Sequence, residues 1–126
     1  MTSNPIKPEE RAAFVQAVVK KYLLPVLAAK GNDYSSYATE RYGGSAHANF
    51  MALADMLGDP AVDKYRVWLI YFGKHLQSVF TWMRARAVAS EPLTGRITDL
   101  LNYLLIFWMM LVEDGLAEDP RGVTDA

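Results

Sequence analysis

The chain has no cysteine, which excludes disulfides, thiolate metal sites and cysteine nucleophiles and fits a reducing compartment. It also lacks an excess of either charge. Thirteen Lys and Arg against fourteen Asp and Glu leave a net −1, so no global field draws duplex DNA or an anionic membrane. The opening MTSNPIKPEERAAF contains no apolar signal core. The longest wholly apolar run, Leu104 to Val112, is far shorter than the roughly 20 residues that span a bilayer. These absences lead us to expect a soluble, cytoplasmic protein with no membrane partner and no strong case for nucleic acid.

What is present is a folded composition. The 126 residues (14.1 kDa) are 52% hydrophobic, with six prolines and eight glycines, enough for one core without staples. Pro8 followed by Glu9 and Glu10 marks a helix start. Phe14, Val18, Tyr22 and Leu23 continue it at helical spacing. Pro25 is expected to bend it, and Gly31 to stop it. Residues 31 to 45, GNDYSSYATERYGGS, carry no period and read as a loop. Ser45 is the expected cap of a second helix, AHANFMALADML, which closes at Gly58. Asp59 and Pro60 then predict a third helix from Pro60 to about Val88, broken by Ser90, Glu91 and Pro92. A fourth runs from Leu93 to Asp114, followed by a polar tail that frays from about 116. Four helices and no convincing strand predict an all-α, four-helix bundle-like single domain over 1–126.

In the fourth helix Arg96, Asp99, Asn102 and Tyr103 recur three or four residues apart and share one face. That face is either simply wet, with Arg96 and Asp99 an ordinary pair, or it looks into a cleft. The same helix continues as LLIFWMMLV, apolar on every side, as expected of a helix enclosed by a bundle or a partner. This predicts a homo-oligomer, a dimer first of all.

In the third helix Gly73 precedes Lys74 and His75. A mid-helix glycine costs about 1 kcal/mol relative to alanine, so it marks either a close helix crossing or a ligand near the backbone. Neither position 71 nor position 79 is a ligand type, so His75 predicts no metal site. In the loop, Tyr34, Tyr37 and Tyr42, with Arg41 and a glycine pair before a helix start, are parts that could hold a base and a phosphate or equally a protein surface.

Asn32-Asp33-Tyr34, Asn49-Phe50, Lys74, and Glu91 followed by Asp99-Leu100-Leu101-Asn102-Tyr103 resemble a pattern of small phage proteins, DY…NF…DK…ES…D…DLxNY. That group includes proteins associated with nucleotide modification, and it is more distantly similar to the MazG-type all-α nucleoside triphosphate pyrophosphohydrolases. The pieces are scattered over residues 32 to 103, and the stretch Asp99 to Tyr103 is the specific one. The resemblance implies an all-α fold, a host-cytoplasmic setting and a nucleotide-like small molecule as partner. Its matched positions add Asp33 and Asn49 to the candidate site, beside His75 of the third helix and Tyr103 of the fourth. In the binding reading Tyr34 or another loop tyrosine stacks on a base, Arg41, Lys74 and Arg96 meet phosphate, and Asp99 and Asn102 read polar edges.

MazG-type enzymes hold magnesium with paired acids on facing helices. This chain has no ExxE, and Gly73 stands where the pattern has an acid before the lysine. The expectation is therefore binding without turnover, with no catalytic residue, metal or cofactor. Two alternatives stand beside it. One is a divergent magnesium-dependent pyrophosphohydrolase with Asp99 as a ligand. The other is an interaction module whose Trp108, Met109 and Met110 form an oligomer surface.

Overall fold

A computed structural model describes residues 4–27, 41–43, 48–87 and 92–122. Every regular element among them is helical, so the chain is all-α. The chain falls into two compact units, Met1–Asp33 and Tyr34–Ala126.

In the first unit a tight turn over Pro8–Glu10 leads into α1, Arg11–Val18. The helix then widens to π geometry over Val19–Leu23 and returns to α over 24–27. Pro25 accounts for the widening. It brings no N–H for the carbonyl four residues back, and its ring crowds that carbonyl, so the turn before it relaxes to a looser ladder. The expected bend is thus a bulge one turn upstream of the proline.

The second unit contains α2 (Ala48–Leu57), α3 (Lys64–Ala85) and α4 (Leu93–Glu113). Residues 41 and 42, expected in the loop, are helical and end at Gly43 with φ +69°. Gly58 closes α2 with φ +67°, as expected. Ser45, its expected cap, lies outside the described residues.

The start of α3 differs from expectation. Asp59 holds a turn, accepting from the Ala61 N–H at 2.9 Å, and the helix begins only after Asp63, whose carboxylate accepts from the Arg66 N–H at 3.0 Å. Both aspartates are competent caps, and the helix starts from the nearer one, whose backbone is extended (φ −85°, ψ 178°). At the far end Arg86 takes the left-handed conformation (φ 56°). It donates its N–H to Trp82 O at 2.7 Å and lays its guanidinium 4.7 Å from the Trp82 ring centre. Helix α4 ends in a paired cap. Gly115, at φ +73°, donates to Val112 O, and Leu116 donates to Leu111 O, so two end carbonyls are satisfied.

Helix α3 packs on both α2 and α4. The α3–α4 pair is antiparallel. Lys64 meets Asp114, Trp68 meets Tyr103 and His75 meets Arg96, the partner falling along α4 as the α3 residue rises. Phe50 of α2 completes the core, 5.9 Å from the Tyr71 ring and 6.4 Å from the Tyr103 ring. Trp68 stacks on Phe72 at 4.8 Å and touches Phe107 at 4.6 Å.

The apolar run Leu104 to Val112 understates α4. The helix has 21 residues and contains an 18-residue stretch with a mean hydropathy of 1.3, 22% of it buried, so by length and composition alone it is long and apolar enough to cross a membrane.

Candidate functional site

The antiparallel pairing brings together four of the expected site residues. His75 Nδ1 lies 3.5 Å from Arg96 Nη1 and 3.6 Å from Asp99 Oδ2, and its ring centre lies 5.2 Å from that of Tyr103. One nitrogen cannot serve both neighbours in the same way. Neutral with its lone pair on Nδ1, His75 accepts from the guanidinium, whereas a proton on Nδ1 turns it toward the carboxylate. Tyr103 in turn stacks on Tyr71, with centres 6.3 Å apart and planes 11° apart.

Asn102 sits beside this cluster and is 0% exposed. Neither its Oδ1 nor its Nδ2 has a hydrogen-bond partner among the described residues. A buried carboxamide with both ends unmet forgoes about 1–3 kcal/mol per group, so it calls for an explanation.

Gly73 supplies a related surprise. A Cβ built on it would meet no atom within 4 Å. Among the described residues the close helix crossing that a mid-helix glycine suggested is therefore absent, and none of them fills the space above this turn, beside Lys74 and His75.

The remaining expected residues are placed less tightly. Lys74 is exposed and makes no hydrogen bond or ion pair with a described residue. Arg41 is exposed on the short helical stretch, and Asn49 is half-buried on α2 next to Phe50. Asp33, Tyr34 and Tyr37 lie outside the described residues. Among the described residues no three His, Cys, Asp or Glu side chains gather as a metal site.

A second polar cluster was not expected from the sequence. Asp114, just beyond α4, accepts from Lys64 Nζ at 2.7 Å and from Tyr65 Oη at 2.5 Å. Burial first, then the hydrogen bond to Asp114 and the negative charges of Asp114 and Asp63, push the Tyr65 phenol up to about 12. Farther along, Arg121 binds the Asp119 carboxylate at 2.6 Å and holds it below the usual range, while Asp119 holds Arg121 protonated to higher pH. The aromatic wall of Phe50 and Tyr71 behind Tyr103 also escaped the sequence reading. Its only linear signal is that Tyr71 stands four residues before His75.

Comparison with protein-family models, with curated proteins and with solved structures found no match to this chain.

Proposed function

We propose that this chain binds a nucleotide-like small molecule at the polar cluster between α3 and α4 and holds it without turnover. The observation that carries the reading is the Asn102 carboxamide, wholly buried and without a hydrogen-bond partner among the described residues. A ligand edge offering one donor and one acceptor would satisfy both of its atoms, as a heterocycle does for an asparagine in base recognition. Arg96 and His75 beside it, and the exposed Lys74 one position before His75, supply cationic and neutral donors for phosphate. Tyr103 offers an aromatic face already aligned by Tyr71. Among the described residues Asp99 is the one carboxylate of the cluster, so phosphate here meets Lys and Arg directly and magnesium is dispensable for affinity. Because Asn102 is closed to solvent, binding requires its neighbours to part.

A thermal-shift panel of mono-, tri-, cyclic and dinucleotides, with and without magnesium, tests the reading. A ligand at 100 times its Kd stabilises the folded state by about 2.7 kcal/mol. Asp99→Ala and Asn102→Ala should remove that shift while changing the ligand-free melting temperature less. Silence across the panel would sink the reading. Steady release of phosphate or pyrophosphate, abolished by EDTA and by Asp99→Asn, would replace it with that of a magnesium-dependent hydrolase.

A further inference from the structure

Helix α4 is apolar on two faces, and one of them is buried within the second unit. Asn102, Tyr103, Ile106 and Met110 point into the second unit, whereas Ile97, Leu101, Leu104 and Trp108 are exposed by 43%, 37%, 47% and 50%. The exposed set recurs at intervals of four, three and four residues, the spacing of a coiled-coil seam, and so forms one straight stripe over about three turns. Met109, 41% exposed, extends it into a groove of about 580 Å³, where Leu105 and Val112 of α4 face Pro120 of the tail.

We propose that this stripe is the contact surface for a second copy of the chain, packed α4 against α4 about a two-fold axis with the helices antiparallel. Self-complementarity supports that occupant. In an isologous contact each residue pair occurs twice, and an axis between Leu101 and Leu104 sets these two leucines against each other across the copies while it sets Ile97 against Trp108. The largest side chain of the stripe then meets a smaller one at both ends. A parallel arrangement would stack the two Trp108 rings on each other and align the helix dipoles unfavourably.

The area also fits. The five open side chains expose on the order of 400 Å² of apolar surface per copy, close to the apolar share of the roughly 800 Å² that each partner hides in a standard interface.

The full chain without cysteine is the starting point for the test. In light scattering at 10–100 µM, order-of-magnitude concentrations for a modest interface, it should run at twice 14.1 kDa. Leu104→Glu, at an exposed position, should return it to a monomer with unchanged helicity. Should that variant fail to fold, cross-linking decides. Leu101→Cys and Leu104→Cys chains, mixed and mildly oxidised, should form a disulfide dimer at least tenfold faster than either alone. A monomer throughout the concentration range would overturn the proposal. So would cross-linking that is fastest within one variant, or co-sedimentation of a monomer with phosphatidylcholine vesicles.

Discussion

The α3–α4 pair carries two polar clusters that differ in how they are satisfied. Where α3 begins and α4 ends, Asp114 collects Lys64 and Tyr65 at 2.5–2.9 Å, and one turn deeper the Trp68 indole donates to Tyr103 O at 2.8 Å. Halfway along the same pair, His75 lies 3.5 and 3.6 Å from Arg96 and Asp99, and among the described residues Asn102 has no partner for either amide atom. Both clusters use the same two helices and the same packing, so the slack in the middle is not poor helix pairing. A carboxamide kept inside a well-packed interface without a partner among the described residues marks a place where stability is given up, which is the usual condition of a binding site.

The largest effect that would sharpen this contrast is expected from Trp68→Ala. Removing a buried indole that stacks on Phe72 and Phe107 and donates across the pair should lower the unfolding free energy by about 3–5 kcal/mol, measured by urea denaturation. A loss below about 1 kcal/mol would mean that the well-satisfied end does not hold the helices together.

Tyr65→Phe comes next, at about 1.5–3 kcal/mol near neutral pH, because it deletes a hydrogen bond to a charged acceptor. The pH dependence gives a second measure. The folded state holds the Tyr65 proton up to about 12 against an ordinary value of 10.0. Stability from this group is therefore full below pH 10 and drains away as the pH climbs from 10 toward 12. Alkaline unfolding followed by circular dichroism should move to higher pH in Tyr65→Phe relative to its own neutral baseline.

Asn102→Leu should act in the opposite direction. Exchanging an unmet carboxamide for an apolar group of similar size should raise the unfolding free energy by about 1–2 kcal/mol while eliminating nucleotide-induced stabilisation. Destabilisation by a similar amount would show that Asn102 is bonded in solution, and the contrast between the clusters would disappear.

The smallest effect is that of Gly73→Ala, a gain of up to about 1 kcal/mol from helix propensity, since the added methyl meets nothing within 4 Å. A ligand seated over this turn would make the same methyl weaken its binding, so melting and affinity would move apart.

The legibility of the chain in its sequence follows the range of the forces involved. The end of α2 at Gly58 and the bounds of α4 between Pro92 and Gly115 were readable because caps act within one turn. The start of α3 was misplaced for the same reason, since Asp59 and Asp63 both satisfy the local rule. The stripe from Arg96 to Tyr103 was visible as a stripe, but its partners were not. That His75, one residue after Lys74, faces Arg96 depends on the register of two helices, and nothing within either helix encodes that register by itself. Asp114 looked like the last residue of a helix and proved to be an anchor for α3. Gly73 was readable as an exception, while the open space that explains it was not.

The nesting of the α3–α4 pairs also bears on how the molecule assembles. His75 and Arg96 are 21 residues apart in sequence, Trp68 and Tyr103 are 35, and Lys64 and Asp114 are 50. Once the shortest loop is closed, each longer one adds little further entropy loss, so the hairpin zips from the inner pair outward and folds at the rate of local contacts. The pair that closes first is thus the one whose contact is longest, 3.5 Å against 2.8 and 2.9 Å. The tight anchor at Asp114 arrives last and chiefly slows the way back.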